Sequence, residues 1–215
     1  MNCIVTAGPT DEPLDDVRRL TNFSTGRLGT ELANFLAARG HDVTLLIGAQ
    51  AAYGGERTAQ RVETFTTAAN LRDKLQALST QKADAVFHAA AVGDFAFGKI
   101  QARSPQGQWT EIKAKKIPTR AGTLLAELVP TPKIIAELRA WYSAAKLVGW
   151  KFEADGDRAD VLRAAGRQLA DCLMDACVAN GPAYGEGFGL VTGNRQAHLA
   201  DRPALFEALA QLAGG

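Results

Sequence analysis

Residues able to hold an anionic small molecule crowd the first thirty positions. The apolar run Val5-Thr6-Ala7 leads into Gly8-Pro9-Thr10-Asp11-Glu12-Pro13, then Asp15-Asp16-Val17-Arg18, then Asn22-Phe23-Ser24-Thr25-Gly26-Arg27-Leu28-Gly29. Ser24, Thr25, Gly26 and Gly29 precede an apolar periodicity, so they read as a helix start whose free N–H groups face an anion. The plainer alternative is that Ser24 or Thr25 only caps that helix. Arg18 and Asn22 on the approach favour binding, because an arginine forks onto a carboxylate or phosphate. Gly8 to Gly29 is therefore expected to hold a phosphorylated or carboxylated small molecule.

Two further stretches carry chemistry. Ala89-Ala90-Ala91-Val92-Gly93-Asp94-Phe95 follows an apolar strand pattern, and its small residues admit a close ligand. From Phe95 to Gly122 six cations (Lys99, Arg103, Lys113, Lys115, Lys116, Arg120) face one anion, Glu111. A basic irregular segment of this length inside a compact domain points to function or mobility. His88 ends an apolar strand and reads as a core residue. His41 and His198 are isolated, so no metal cluster with ligand spacing is expected, nor does a nucleophile elbow appear.

These residues need a scaffold, and the periodicity supplies one. Strands are expected over Cys3–Ala7, Asp42–Gly48, Arg61–Phe65, Ala83–Ala89, Leu124–Val129, Lys146–Trp150, Ala176–Ala179 and Gly189–Thr192. Helices are expected over Gly26–Ala38, Ala68–Leu78, Pro132–Tyr142, Asp157–Leu173 and Pro203–Leu212. Alternating strands and helices predict an α/β, Rossmann-like, doubly wound and mostly parallel sheet in one domain over 1–215. Ligands of such sheets collect at the carboxyl ends of the strands. A dinucleotide site is disfavoured. No GxGxxG joins the first strand to its helix, and the second strand ends at Gly48, where an acid usually holds the ribose.

Composition narrows the class. With 215 residues, 47% hydrophobic, the chain can bury a core without disulfides or a structural metal. Its 24 basic and 23 acidic residues give a net charge of +1, which offers nothing to nucleic acid or a membrane surface. Cys3, Cys172 and Cys177 lack CxxC spacing and read as buried hydrophobes in a reducing cytosol. No leader or membrane span is apparent, so a cytoplasmic location is expected.

The run from Val5 to Gly29 resembles the phosphopantothenate–cysteine ligase family, in the form without the decarboxylase domain. Three blocks agree in order: Ala89 to Phe95, Leu128-Val129-Pro130-Thr131-Pro132-Lys133-Ile134, and Val148-Gly149-Trp150-Lys151-Phe152-Glu153, with Ala179-Asn180 after them. The resemblance implies a dimeric enzyme of coenzyme A synthesis. CTP or ATP, with Mg²⁺, activates the carboxylate of 4′-phosphopantothenate as an acyl-nucleotide, and the cysteine amine then forms the amide. It implies that Asn22 lies near the acyl group and that Gly8, Thr10, Arg18, Ser24, Thr25 and Gly26 hold the substrate, with Arg18 as an anchor. It places Ala90, Ala91, Asp94, Pro130, Thr131, Pro132, Trp150 and Asn180 around the nucleotide, with no protein-held metal.

The family's lysine, which neutralises charge on the α-phosphate, has two candidates here, Lys99-Ile100 and Lys116-Ile117. Lys116 keeps the spacing to Leu128-Val129-Pro130 and is preferred. Gln101–Lys113 then reads as an insertion, a hairpin within a basic flap over 96–122, tipped by Pro105–Gly107. The lysines that members using CTP carry on the helix before the last core strands are absent; Arg167 is the cation there. Trp150 replaces a usual Phe. Two other readings stand beside the ligase: a non-catalytic nucleotide or pantothenate binder of the same fold, and a short-chain reductase-like NAD(P) enzyme.

Overall fold

The computed structural model describes residues 1–104, 106–193 and 195–214. In chain order the strands are β1 (Asn2–Ala7), β2 (Asp11–Pro13), β3 (Arg19–Thr21), β4 (Asp42–Gly48), β5 (Arg61–Phe65), β6 (Ala85–His88), β7 (Phe95–Arg103), β8 (Trp109–Glu111), β9 (Leu124–Pro130), β10 (Lys146–Phe152), β11 (Ala176–Asn180), β12 (Phe188–Thr192) and β13 (Arg195–Leu199). The helices are α1 (Arg27–Ala38), α2 (Ala68–Leu78), α3 (Ile134–Trp141), α4 (Arg158–Asp171) and α5 (Arg202–Gly214). Among the described residues no helix is long and apolar enough to cross a membrane.

Eight strands form the central sheet in the order β13-β12-β11-β10-β6-β1-β4-β5. The six from β11 to β5 run parallel. Their apolar runs reflect burial on both faces, since successive side chains point to opposite sides. Cys3, Val5 and Ala7 meet Leu32, Leu36, Leu205 and Leu209 of α1 and α5. Ile4, Leu46, Val86 and Leu147 meet α2 and α3 through Leu71, Leu75, Ile135 and Leu138. Helix α4 lays Val161 and Ala165 over Cys177 and Ala179. Its start is fixed by a capping box: Asp157 accepts from the Asp160 N–H at 2.9 Å, and Asp160 accepts from the Asp157 N–H at 3.1 Å.

The chain departs from the sequence expectation in three places, each outside the parallel core. Strand β12 runs antiparallel to β11, and β13 extends that edge. The approach to α1, over 8–26, contains the β2–β3 hairpin. Leu124–Pro130 is a strand, but it belongs to a separate sheet, β8-β7-β9. Half-exposed strands of this kind lack the long apolar runs by which buried ones are recognised. Strand β7 is also broken by a register shift between Phe97 and Ile100. There the Lys99 N–H donates to Glu127 Oε2 at 3.0 Å, and a Cβ on Gly98 would stand 2.6 Å from that oxygen. Strands β7 and β8 make a hairpin around 104–108; Pro105 of its expected tip lies outside the described residues.

Candidate functional site

The chain winds outward from β1 through β4 to β5, then returns to place β6 on the other side of β1. The gap above β1 and β6 is thus the topological switch point, where open α/β sheets bind ligands. The loops leaving these two strands are stitched together there. Pro9 bridges Ala91, the Ala91 N–H donates to Gly8 O at 2.9 Å, and the Thr10 N–H donates to Ala91 O at 3.2 Å. The Thr10 hydroxyl accepts from the Gly93 N–H at 2.8 Å.

Asn22 reaches this seam. Its Nδ2 donates to Ala91 O at 3.0 Å, while the neighbouring Thr21 hydroxyl donates to Thr10 O at 2.9 Å. A side-chain amide carries two N–H donors and a two-lone-pair oxygen, so one donor orients the group and the rest is available to a ligand. Pro130 pairs with Phe95, and Thr131 is tied to the same seam: its hydroxyl donates to Gly93 O at 2.5 Å and its N–H to Asp94 O at 3.0 Å. Pro132 follows directly, at the entry to α3. Asp94 itself is exposed, with Lys133 Nζ 3.5 Å from its carboxylate.

The start of α1 forms the floor of a cleft of ≈ 290 Å³. Gly26 is the N-cap residue, in the left-handed region at φ 79°, and no side chain caps the helix there. Ser24 therefore is not the cap; Thr25 Oγ1 accepts only a 3.3 Å bond from the Arg27 N–H. Glycine is required at positions 26 and 29 for different reasons. A Cβ on Gly26 would meet Ile47 and Ala51 in a strained backbone, and one on Gly29 would stand 2.6 Å from the Ala7 Cβ. Gly8, Ala89, Asn180, Phe188 and Arg202 complete the walls. Asn180 Oδ1 and Trp150 Nε1 are buried without a protein partner among the described residues. Buried polar atoms are normally satisfied, so each offers a ligand or water a hydrogen bond.

Arg18 is used differently from a free anchor. Its Nε and Nη2 donate to Asp15 Oδ2, and Nη2 also donates to Ile117 O at 2.8 Å. The Arg18 guanidinium beside Asp15 holds that carboxyl well below the usual carboxylate range. Lys116 and Lys99 are both exposed, Lys116 beside the bound Ile117 and Lys99 within the β7 bulge.

His88 sits under the seam, buried, with Nδ1 3.0 Å from Thr6 Oγ1, which accepts from the Ala90 N–H at 3.1 Å. Burial brings its pKa down to about 4, so it is neutral at pH 7. All three cysteines are free and buried; burial pushes Cys3 up to about 11 and Cys177 up to about 12, which suppresses the thiolate.

Of the residues singled out in the sequence, the structure brings Gly8, Thr10, Asn22, Ala90, Ala91, Asp94, Pro130, Thr131 and Pro132 to one seam. Sequence reasoning did not find Asp15, Phe188, Arg202 or Lys133. Asp15 stood in the quoted motif, and its offset of three from Arg18 was the available signal. Nothing local marks Arg202, which reaches the cleft only because α5 packs beside α1.

Comparison with known proteins bears on the family and the fold. Residues 1–211 match the DNA/pantothenate metabolism flavoprotein C-terminal domain. The chain is 31% identical over 186 residues to the coenzyme A biosynthesis bifunctional protein CoaBC of Thermococcus kodakarensis, covering 82% of this chain and 40% of that protein. It thus spans about two fifths of that relative's length. The fold matches the crystal structure of the DNA/pantothenate metabolism flavoprotein from Streptococcus pneumoniae, with a TM-score of 0.84 at 23% identity over 98% of this chain and 97% of that one. A Cab2 variant solved in complex with phosphopantothenate-cysteine superimposes with a TM-score of 0.72 at 18% identity, covering 99% and 86% of the two chains. With the family match running over residues 1–211, nearly the whole chain, this protein belongs to the DNA/pantothenate metabolism flavoprotein C-terminal domain family.

Proposed function

We propose that this chain joins 4′-phosphopantothenate to cysteine through an acyl-nucleotide, as a ligase of coenzyme A synthesis. One observation carries the reading: Asn22, the Gly8–Thr10 loop and the Ala89–Asp94 loop converge at the switch point, with Asn22 bonded to Ala91. In the first half-reaction the substrate carboxylate attacks the α-phosphorus of CTP or ATP, and pyrophosphate leaves. In the second the cysteine amine attacks the acyl carbon, loses a proton, and displaces the nucleoside monophosphate.

Each group has a task in this scheme. The uncapped start of α1 and the backbone of Ser24 to Gly26 attract the anionic end of the substrate. Asn22, oriented by Ala91, presents its second N–H to the oxyanion that grows as the amine adds. Ala90 and Ala91 let the nucleotide approach, Asp94 and the Pro130–Pro132 turn border it, and Trp150 and Asn180 contribute the unpartnered donor and acceptor. Lys116 opposes charge on the α-phosphate. Among the described residues no three metal-ligating side chains cluster. Mg²⁺ would arrive on the triphosphate, since this ion is commonly held by phosphates with one or two carboxylates, and the exposed Asp94 would be a carboxylate able to hold it. The ion would neutralise phosphate charge.

The test is direct. Purified protein is mixed with 4′-phosphopantothenate, cysteine, Mg²⁺ and either CTP or ATP, and pyrophosphate is followed. Release that depends on 4′-phosphopantothenate is expected with at least one nucleotide, and the better one gives the preference. No release with either removes the ligase reading and leaves a non-catalytic binder.

A further inference from the structure

The segment that carries Lys116 is gripped from the other end of the sequence. Ile117 is an anchor, 4% exposed as a residue, whereas Lys113, Lys115 and Lys116 before it are exposed. Both backbone groups of Ile117 are bound by one ion pair. Its N–H donates to Asp15 Oδ2 at 3.1 Å, and its carbonyl accepts from Arg18 Nη2 at 2.8 Å. One residue earlier than Lys116, the Lys115 carbonyl accepts from the Asp16 N–H at 2.9 Å. Lys116 is therefore bracketed by held peptide groups on both sides.

The gripping pair is itself tied to its own turn. The Asp15 side chain is fully buried and accepts from the Val17 N–H at 3.0 Å, the Arg18 N–H at 2.8 Å and the Arg18 guanidinium. Both guanidinium donors converge on Oδ2 while the two backbone N–H groups hold Oδ1, and charge-assisted bonds of this kind are shorter and stronger than neutral ones. The pair lies in the turn of the β2–β3 hairpin, and Asn22 follows directly on β3. One hairpin thus holds Asn22 against Ala91 at its base and the Lys116 segment at its turn.

We propose that Asp15 and Arg18 are positioning residues that set Lys116 relative to Asn22, so that Arg18 serves the reaction through the lysine loop. This rests on the ligase reading and on Lys116 as its cation. It also separates the two lysines, because the Lys99 backbone is tied to Glu127 within its own sheet.

The test is a double-mutant cycle with Asp15→Asn, Lys116→Gln and the pair. Asp15→Asn is expected to lower kcat for pyrophosphate release about ten- to a hundredfold, as a displaced catalytic group does, while KM for cysteine stays unchanged. With enzyme in excess over nucleotide and long incubation, so that the residual rate of Lys116→Gln is measurable, the same substitution in that background is expected to cost nothing more, because coupled residues are non-additive. Equal losses in both backgrounds would overturn the proposal, since a merely structural role acts whether or not the lysine is present. Amide exchange at Ile117 reads the grip without any turnover. Lost protection in Asp15→Asn is expected, and unchanged protection overturns the grip. If Lys116→Gln alone retains full turnover while Ile117 loses protection in Asp15→Asn, the role of Lys116 fails and the grip stands without a catalytic purpose. Should Asp15→Asn fail to fold, Arg18→Gln carries the same cycle, because it keeps the carboxylate and removes the guanidinium contact to Ile117.

Discussion

Single side chains divide here into those that face the ligand and those that hold the seam. Lys116→Gln is expected to reduce pyrophosphate release to near background, while Lys99→Gln leaves it close to that of the unaltered protein; the reverse pattern would transfer the role to Lys99. In the proposed ligase reaction Asn22→Ala removes an oxyanion donor, and it also removes the bond to Ala91. A loss of about a hundredfold or more in amide formation is expected, read as acyl-nucleotide accumulating when cysteine is added; an unaltered rate would leave Asn22 a loop-structuring residue. His88 acts on stability. Its pKa is about 4 in the folded chain against an ordinary 6.5, so the unfolded chain takes up a proton first as pH falls. The stability this neutral, buried ring contributes is fully present above about pH 6.5 and declines through that window, by on the order of 3 kcal/mol, before levelling below about pH 4. Denaturant melts between about pH 7 and pH 5 should show that slope, and His88→Asn should flatten it.

At the scale of elements, close approach between α1 and β1 decides the geometry of the cleft. Gly29 lets the helix start sit on the strand end; Gly29→Ala would drive a methyl to 2.6 Å from the Ala7 Cβ and 3.0 Å from Thr6 O. A destabilisation of about 1–3 kcal/mol is expected from such overpacking, measured as a lower denaturation midpoint, together with weaker binding of 4′-phosphopantothenate. Gly48 makes a related point. The sequence showed glycine where a dinucleotide-binding strand ends in an acid, and the structure gives the reason. A Cβ there would lie 2.3 Å from the Pro9 carbonyl, because the Gly8–Thr10 loop crosses that strand end. The space that an acid and its ribose would occupy is filled by the loop that builds the switch-point seam.

At the scale of the molecule, the small sheet and the β2–β3 hairpin leave apolar side chains uncovered. Phe95, Trp109, Leu125 and Leu128 are 40–52% exposed, and Val17 and Phe23 more so. Leu125 and Leu128 point to opposite faces of the small sheet, because side chains alternate along β9, and Leu128 shares its face with Phe97, its partner, and with Phe95. We propose that the homodimer implied by the family resemblance forms through one of these faces. Leu125→Glu with Leu128→Glu is expected to shift sedimentation from dimer toward monomer and to lower turnover with it. A wild-type chain that sediments as a monomer while fully active would dispose of the dimer.

The amino-acid sequence determined the parallel core unaided. Runs such as Val43 to Gly48 and Ala85 to His88 have no polar face, and only a sheet buried on both sides accommodates them. It also determined which residues carry chemistry in the first thirty positions, because their types and offsets are local. The edge strands, the β7–β9 sheet and the β2–β3 hairpin were less legible, since half-exposed pairing leaves a weak pattern and depends on the partner strand. What only the tertiary structure decided is how distant blocks meet. Asn22 finds Ala91 across 69 residues, and Asp15 finds Ile117 across 102. Spacing along the chain fixes a helix or strand, but such contacts are fixed by the order of strands in the sheet. That order turned Arg18, read as a free anion anchor, into half of the grip beside Lys116.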